Sequence, residues 1–162
     1  MAMTRVEASV EVNAPVKEVF AYASDWPRFG GEWWQGVSDF RPTTEVTRGT
    51  GTRYAYKAWM AGIAMNLETE IHDLVENVGW KGEATKGPPF QARWVFEDRG
   101  GTTRLSCTVE YSLPLPLLGP LLDSLLMRPR WQRMLERSLL NLKAHFEGQG
   151  GSPPTGGAPT EA

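Results

Sequence analysis

The stretch LPLPLLGPLLDSLLMRPRWQRMLERSLLNLKAHF, residues 113–146, decides the fold. Leu117, Leu118, Leu121, Leu122, Leu125 and Leu126 are followed by Trp131, Met134, Leu135, Ser138, Leu142 and Phe146, at steps of three and four. That is the period of a helix with one apolar face. Arg128, Arg130, Arg133, Glu136, Arg137 and Lys143 fill much of the remainder, and Gly148 stands where a helix commonly stops. Leu113 to Phe146 therefore reads as one long C-terminal helix of roughly 30 residues, about 45 Å. Pro129 cannot donate to the carbonyl of Leu125 and crowds it, which predicts a kink or a division. The expected pieces are Leu117 to Leu126 and Arg130 to Phe146.

The residues before this helix build the only surface it can pack on, and they read as strands. Leu105, Cys107, Val109, Tyr111 and Leu113 alternate with Ser106, Thr108 and Glu110. Phe90, Ala92, Trp94 and Phe96 form another alternating run, and Val78 to Thr85 a shorter one. Met65, Leu67, Thr69 and Ile71 oppose Asn66, Glu68, Glu70 and His72. Tyr54, Tyr56, Ala58 and Met60 oppose Arg53, Lys57 and Trp59. Turn residues punctuate every gap: Gly49-Thr50-Gly51, Gly62, Glu76-Asn77, Gly87-Pro88-Pro89 and Arg99-Gly100-Gly101. Close-spaced hairpins of period two make an antiparallel meander. Val37 to Thr47 reads as a strand broken near Pro42.

At the N-terminus Val6, Ala8, Val10 and Val12 alternate as a first strand. Asn13 is placed to cap a short helix with Pro15 in its first turn and Val16, Val19, Phe20 and Ala23 on its apolar face, ending near Ser24. A second short helix starts at Asp25-Trp26-Pro27, and the Gly30-Gly31 pair is expected to interrupt it before Glu32-Trp33-Trp34. The fold class is thus α+β: a curved seven-stranded antiparallel sheet, two short helices after strand 1, and the long helix. Residues 1–147 form one domain in this reading, and the Gly/Pro-rich residues 148–162 a disordered tail. A sheet curled around a helix cannot bring every inward side chain to the axis, so a chamber capped by the short helices is expected.

Composition narrows the function. The 162 residues are 41% hydrophobic and 22% charged, with a formal net charge of −2. That balance gives no general attraction to nucleic acid or an anionic membrane. The single Cys107 cannot form an internal disulfide and fits a cytoplasmic protein. No secretory signal pattern is present, and Leu113 to Met127 is too short and too broken by Pro114, Pro116, Pro120 and Asp123 for stable membrane insertion. The oligomeric state is left open.

Several stretches carry a resemblance. They are Val10-Glu11-Val12-Asn13-Ala14-Pro15 with Val19-Phe20, Asp25-Trp26-Pro27 leading into Trp33-Trp34, and Gly49-Thr50-Gly51-Thr52. Arg93-Trp94-Val95-Phe96-Glu97, Gly101-Thr102-Thr103-Arg104-Leu105 and Leu139-Leu140-Asn141-Leu142-Lys143 complete the set. With the order of elements, residues 4–147 resemble the START, polyketide cyclase and Bet v 1-like superfamily (SRPBCC), in its bacterial polyketide cyclase/dehydrase-like branch. The resemblance implies the helix-grip fold and a chamber for hydrophobic small molecules. Some members of that superfamily cyclise or dehydrate polyketides, some carry lipids or quinones, and some act through protein partners. The shared motifs are turn, cap and packing residues, so no catalytic role is carried over.

No phosphate loop, GxSxG, HExxH or paired cysteine is present. His72 falls on the charged side of its strand and His145 near a helix end, with no ligand cluster around either; neither a metal nor a cofactor is expected. Cys107 reads as a small core residue. The sharper candidates are the inward aromatics Tyr54, Tyr56, Trp80, Trp94, Phe96 and Tyr111. Met65, Leu67 and Thr69 join them from the neighbouring strand, Trp131 and Met134 from the long helix, and Trp33 and Trp34 as either a cap contact or a lip over the chamber mouth. Rings bearing hydroxyl or N–H groups suit a pocket that orients an apolar guest, and Trp80 and Trp94 are expected to touch it. Arg53, Lys57, Glu68, Glu70, Arg93 and Glu110 read as a solvated sheet exterior.

The leading expectation is a binding or carrier protein for an apolar aromatic or polycyclic small molecule. A cyclase or dehydratase using Tyr54, Tyr56 or Tyr111 is the alternative. Against it, no histidine or carboxylate falls on the inward faces, and tyrosine is a poor base at neutral pH. A protein-interaction module of the coenzyme Q-binding type is the third reading, with Leu113 to Met127 the place to seek its surface.

Overall fold

The computed structural model of the chain describes residues 4–60, 63–112 and 127–147. In order these form β1 (Thr4–Val12), α1 (Val16–Ala23), α2 (Trp26–Trp33), β2 (Val37–Pro42) and β3 (Arg53–Met60). There follow β4 (Ile63–Val75), β5 (Gly79–Lys86), β6 (Phe90–Asp98), β7 (Thr103–Tyr111) and α3 (Arg128–Glu147). The strands make one curved antiparallel sheet in the order β1-β7-β6-β5-β4-β3-β2. Only β1 leaves the meander, crossing to the far side of β7 with Thr4 opposite Tyr111 and Val12 opposite Thr103.

Period two sets which side is inside. Along β7, Thr103, Leu105, Cys107, Val109 and Tyr111 are buried while the residues between them are half-buried. On β3, Tyr54 and Tyr56 are buried and Trp59 is 58% exposed, so the inward phase is the expected one. A slip of one residue would have put Arg53 and Lys57 inside. Leu135, Ser138, Leu139 and Leu142 form the buried face of α3. That helix is tied along β1, where Gln132 Nε2 donates to Glu7 O at 2.9 Å and Lys143 Nζ to Glu11 O at 2.7 Å.

Four local expectations need correction. The helix α2 runs unbroken through Gly30 and Gly31 to Trp33. A Cβ on Gly30 would lie 2.9 Å from Trp26 Cε3 and 3.1 Å from Phe40 Cζ, so this glycine permits close ring packing and does not end the helix. Asn13 does not cap α1; Pro15 holds the N-cap position, with no side-chain cap bond. The strand from Val37 does break at Pro42, as expected, but it does not resume towards Thr47. Glu68 is not a solvated exterior charge: it is 7% exposed, and its carboxylate accepts bonds from the Thr43 and Thr85 hydroxyls, both at 2.7 Å. A register shift between Glu68 and Thr69 leaves Thr85 unpaired and free to reach it.

The turn into β5 needs Gly79, because a Cβ there would sit 2.0 Å from Trp94 O at φ 154°. Pro129 is the second residue of α3, and the Leu125 carbonyl that it would crowd lies outside the described residues. The expected piece Leu117 to Leu126, the Gly62 connection and the tail 148–162 lie outside the described residues.

Candidate binding cavity

Between the inner face of the sheet, α2 and the start of α3 lies a cavity of about 60 Å³. Adjacent strands supply its floor through their inward phase: Tyr54, Tyr56 and Ala58 from β3, Met65, Leu67 and Thr69 from β4. β6 adds Phe90, Ala92 and Trp94, and β7 adds Val109. Trp26 from α2 and Trp34 just past it close one side, and Trp131 and Met134 from α3 the other.

Nine of the expected residues thus line the cavity, and four lie elsewhere. Trp33, Trp80 and Phe96 are 1–4% exposed and form a layer behind it. Trp80 stacks on Trp94 at 5.6 Å between centroids and meets Phe96 at 5.4 Å, and Phe20 of α1 covers both. Tyr111 is buried behind Trp131, the rings stacked at 5.3 Å. Contact of Trp80 with a guest is therefore not supported; Trp94 remains at the wall. Each well-placed ring pair adds about 0.5–1.5 kcal/mol beyond the area it buries, which makes this layer rigid backing.

Phe40 and Trp26 were not anticipated as wall residues. Val37 pairs with Ala58 and Ser38 with Lys57, but Arg41 pairs with Ala55, so two residues of β2 face the single residue Tyr56. Asp39, at φ 59°, is one of the bulged pair. The extra residue puts Val37 and Phe40 on the same side although they are three apart. Phe40 then stacks on Tyr56 at 4.9 Å. Trp26 lies parallel to Tyr54, 5.5 Å away and 7° from coplanar orientation.

The polar content is small. Tyr56 Oη and Thr69 Oγ1 are 2.9 Å apart in a hydrogen bond. The Tyr54 hydroxyl makes no hydrogen bond with any described residue. Burial pushes the Tyr54 phenol well above its usual range and Tyr56 up to about 12, so both keep their protons at neutral pH. Burial likewise pushes the Cys107 thiol up, leaving it a poor nucleophile. No His, Asp or Glu is among the described lining residues. His72 stands on the outer face, 3.4 Å from Glu83, and His145 stacks on Tyr22 at 3.9 Å. Among the described residues no three His, Cys, Asp or Glu gather as a metal site requires.

Trp34 is held in place by its neighbours. Gln35 N–H donates to Ser138 Oγ at 2.8 Å, and Asn141 Nδ2 donates to Trp33 O at 3.1 Å. The segment that closes the cavity thus hangs on α3 by a bond on each side of Trp34.

Comparison with known proteins agrees with this architecture. The family model described as polyketide cyclase / dehydrase and lipid transport matches residues 3–147. No curated protein matches the chain in sequence. Among solved structures, TTHA0849 from Thermus thermophilus superposes with a TM-score of 0.79 at 23% identity, over 91% of this chain and 100% of that one. A START superfamily protein from Mycobacterium smegmatis gives 0.72 at 16%, over 90% and 98%. The Zhui aromatase/cyclase of a Streptomyces species gives 0.68 at 17%, over 93% and 97%. At these identities the likeness establishes the helix-grip fold. Among the described residues no helix is long and apolar enough to cross a membrane.

Proposed function

The chain belongs to the polyketide cyclase / dehydrase and lipid transport family, and from that premise we propose that it binds an apolar, ring-containing small molecule in the cavity between sheet and α3. Family and fold are compatible with hydrophobic ligand binding and with cyclase-type activity. The observation that carries the binding reading is the wall itself: its described residues are aromatic and aliphatic, with two protonated phenols, one threonine hydroxyl and the Trp26 indole N–H as polar groups. General base catalysis needs a group that accepts a proton near neutral pH. Neither Tyr54 nor Tyr56 does so, and no carboxylate or imidazole is among the described lining residues. Holding and orienting the guest is what these groups do well. Cytoplasmic location goes with this reading, on the strength of the lone buried Cys107 thiol.

Size limits the guest. About 60 Å³ is less than the ~150 Å³ of an engineered cavity that takes up benzene. Even a single ring must displace side chains. Met65 and Met134, half-buried and unbranched, are the walls that yield most easily. A polycyclic guest also needs Trp34 to swing.

Native mass spectrometry of protein purified from its own host tests the proposal, by the mass of any retained molecule. Titration with aromatic compounds should also quench tryptophan emission, since Trp26, Trp34, Trp94 and Trp131 all reach the wall. No retained mass and no quenching by a broad panel of apolar compounds would overturn it.

A further inference from the structure

The hydroxyl inventory of the cavity does not balance. In the Tyr56–Thr69 pair one hydroxyl hydrogen is used and the other stays unspent, whichever oxygen donates. Tyr54 is 5% exposed, lines the cavity and makes no hydrogen bond with a described residue, so its O–H is unspent as well, and the Trp26 Nε1–H on the same wall is buried without a partner among the described residues. A buried donor without an acceptor is a free-energy cost that an incoming acceptor removes.

The described wall also carries no charge of either sign. No Lys, Arg or His is among the described lining residues. Residues 1–3, 61–62, 113–126 and 148–162 contain no Lys, Arg or His in sequence. An anion placed in the cavity would lose its water and find no opposite charge.

We propose that the cavity takes a neutral aromatic guest bearing an oxygen acceptor, such as an aryl ketone, that Tyr54 reads this oxygen, and that the corresponding carboxylate is excluded. This rests on the binding reading above. Tyr54 is held for the task by its parallel packing on Trp26 and by Tyr56 at 5.7 Å on its other side in the strand. Its phenol stays protonated at neutral pH, so it donates and does not accept a proton. The guest ring is left to the apolar wall of Trp94, Leu67 and Met134.

The test is an NMR titration of the full chain, following the tryptophan indole N–H signals, with ethylbenzene, acetophenone and benzoate near pH 7. Each is repeated on Tyr54→Phe, which keeps the ring and removes a hydroxyl that bonds to no described residue, so folding is preserved. Acetophenone should bind about fivefold more weakly to Tyr54→Phe, while ethylbenzene stays within about twofold. Benzoate should bind about a hundredfold more weakly than acetophenone, or not at all. If Tyr54→Phe moves acetophenone and ethylbenzene alike, or benzoate binds as well as acetophenone, the selectivity is overturned while binding stands. If none of the three shifts any indole signal, the binding reading falls and the selectivity with it.

Discussion

Ser138 Oγ accepts the backbone N–H of Gln35, 103 residues away in the chain, at 2.8 Å, while its own hydrogen goes to Met134 O at 2.7 Å. A hydroxyl on α3 thereby fixes the residue that follows Trp34. Ser138→Ala leaves the Gln35 N–H without that acceptor and should cost about 1–3 kcal/mol of stability, read by denaturant unfolding. The larger expected effect is kinetic: with Trp34 released on one side, on- and off-rates for an aromatic guest should both rise. Unchanged exchange rates in a folded Ser138→Ala protein would show that this segment does not control access.

Two adjacent glycines in α2 should behave in opposite ways. Gly30→Ala drives a methyl against Trp26 and Phe40, at 2.9 and 3.1 Å, and overpacking of this kind costs about 1–3 kcal/mol. Gly31 meets only Phe40 Cδ2 at 3.6 Å, an ordinary contact. Gly31→Ala should raise stability by up to about 1 kcal/mol through helix propensity. Thermal unfolding of the two variants checks the pair, and equal shifts would sink the packing argument.

Glu68 should make stability depend on acidity. Hydrogen bonds from Thr43 and then Thr85 hold its carboxyl below the ordinary range, against the opposing effect of burial. A lowered folded-state pKa means the contribution is complete above the unfolded carboxylate value, about 4.3, and is lost as pH falls through the folded value. The stability gap between the natural chain and Glu68→Gln should therefore be wider at pH 7 than under acid conditions. A gap that is constant across that range would rule out the linkage.

The Tyr56–Thr69 bond lends itself to a double-mutant cycle. Tyr56→Phe and Thr69→Val each remove one hydroxyl, and the coupling between them should be about 0.5–1.5 kcal/mol. A coupling near zero would mean that the two hydroxyls do not bond in solution.

How much of this was legible in the sequence varies with the physics of each element. The inward phase of β3, β6 and β7 follows from strict alternation, and the connections β2–β3, β4–β5, β5–β6 and β6–β7 were marked by glycine, asparagine or proline. Phe40 was not legible, because the bulge at Asp39 breaks the period that a strand reading relies on. The continuity of α2 was hidden because Gly30 was judged by propensity, while Trp26 and Phe40 decide its role. The roles of Trp80 and Trp94 were indistinguishable for another reason. They are register partners on one face, and only the packing of Phe20 over Trp80 leaves Trp94 at the cavity. Ser138 was read as one more position on the helix's apolar stripe, and its bond to Gln35 depends on a chain crossing that no local pattern encodes.

The ties from α3 to β1 have a consequence for the protein in concentrated solution. The outermost strands of an open sheet offer unpaired carbonyl and amide groups to any other extended chain, the usual first step towards fibrils. On β1, Glu7 O and Glu11 O are already taken by Gln132 and Lys143. At the opposite margin β2 is six residues long, is bent at Asp39 and terminates in Pro42. Both borders are thus partly blocked against pairing with another molecule. Crowded copies of this chain therefore meet fewer free edge groups than two open strands would offer, even though so much of the interior is aromatic.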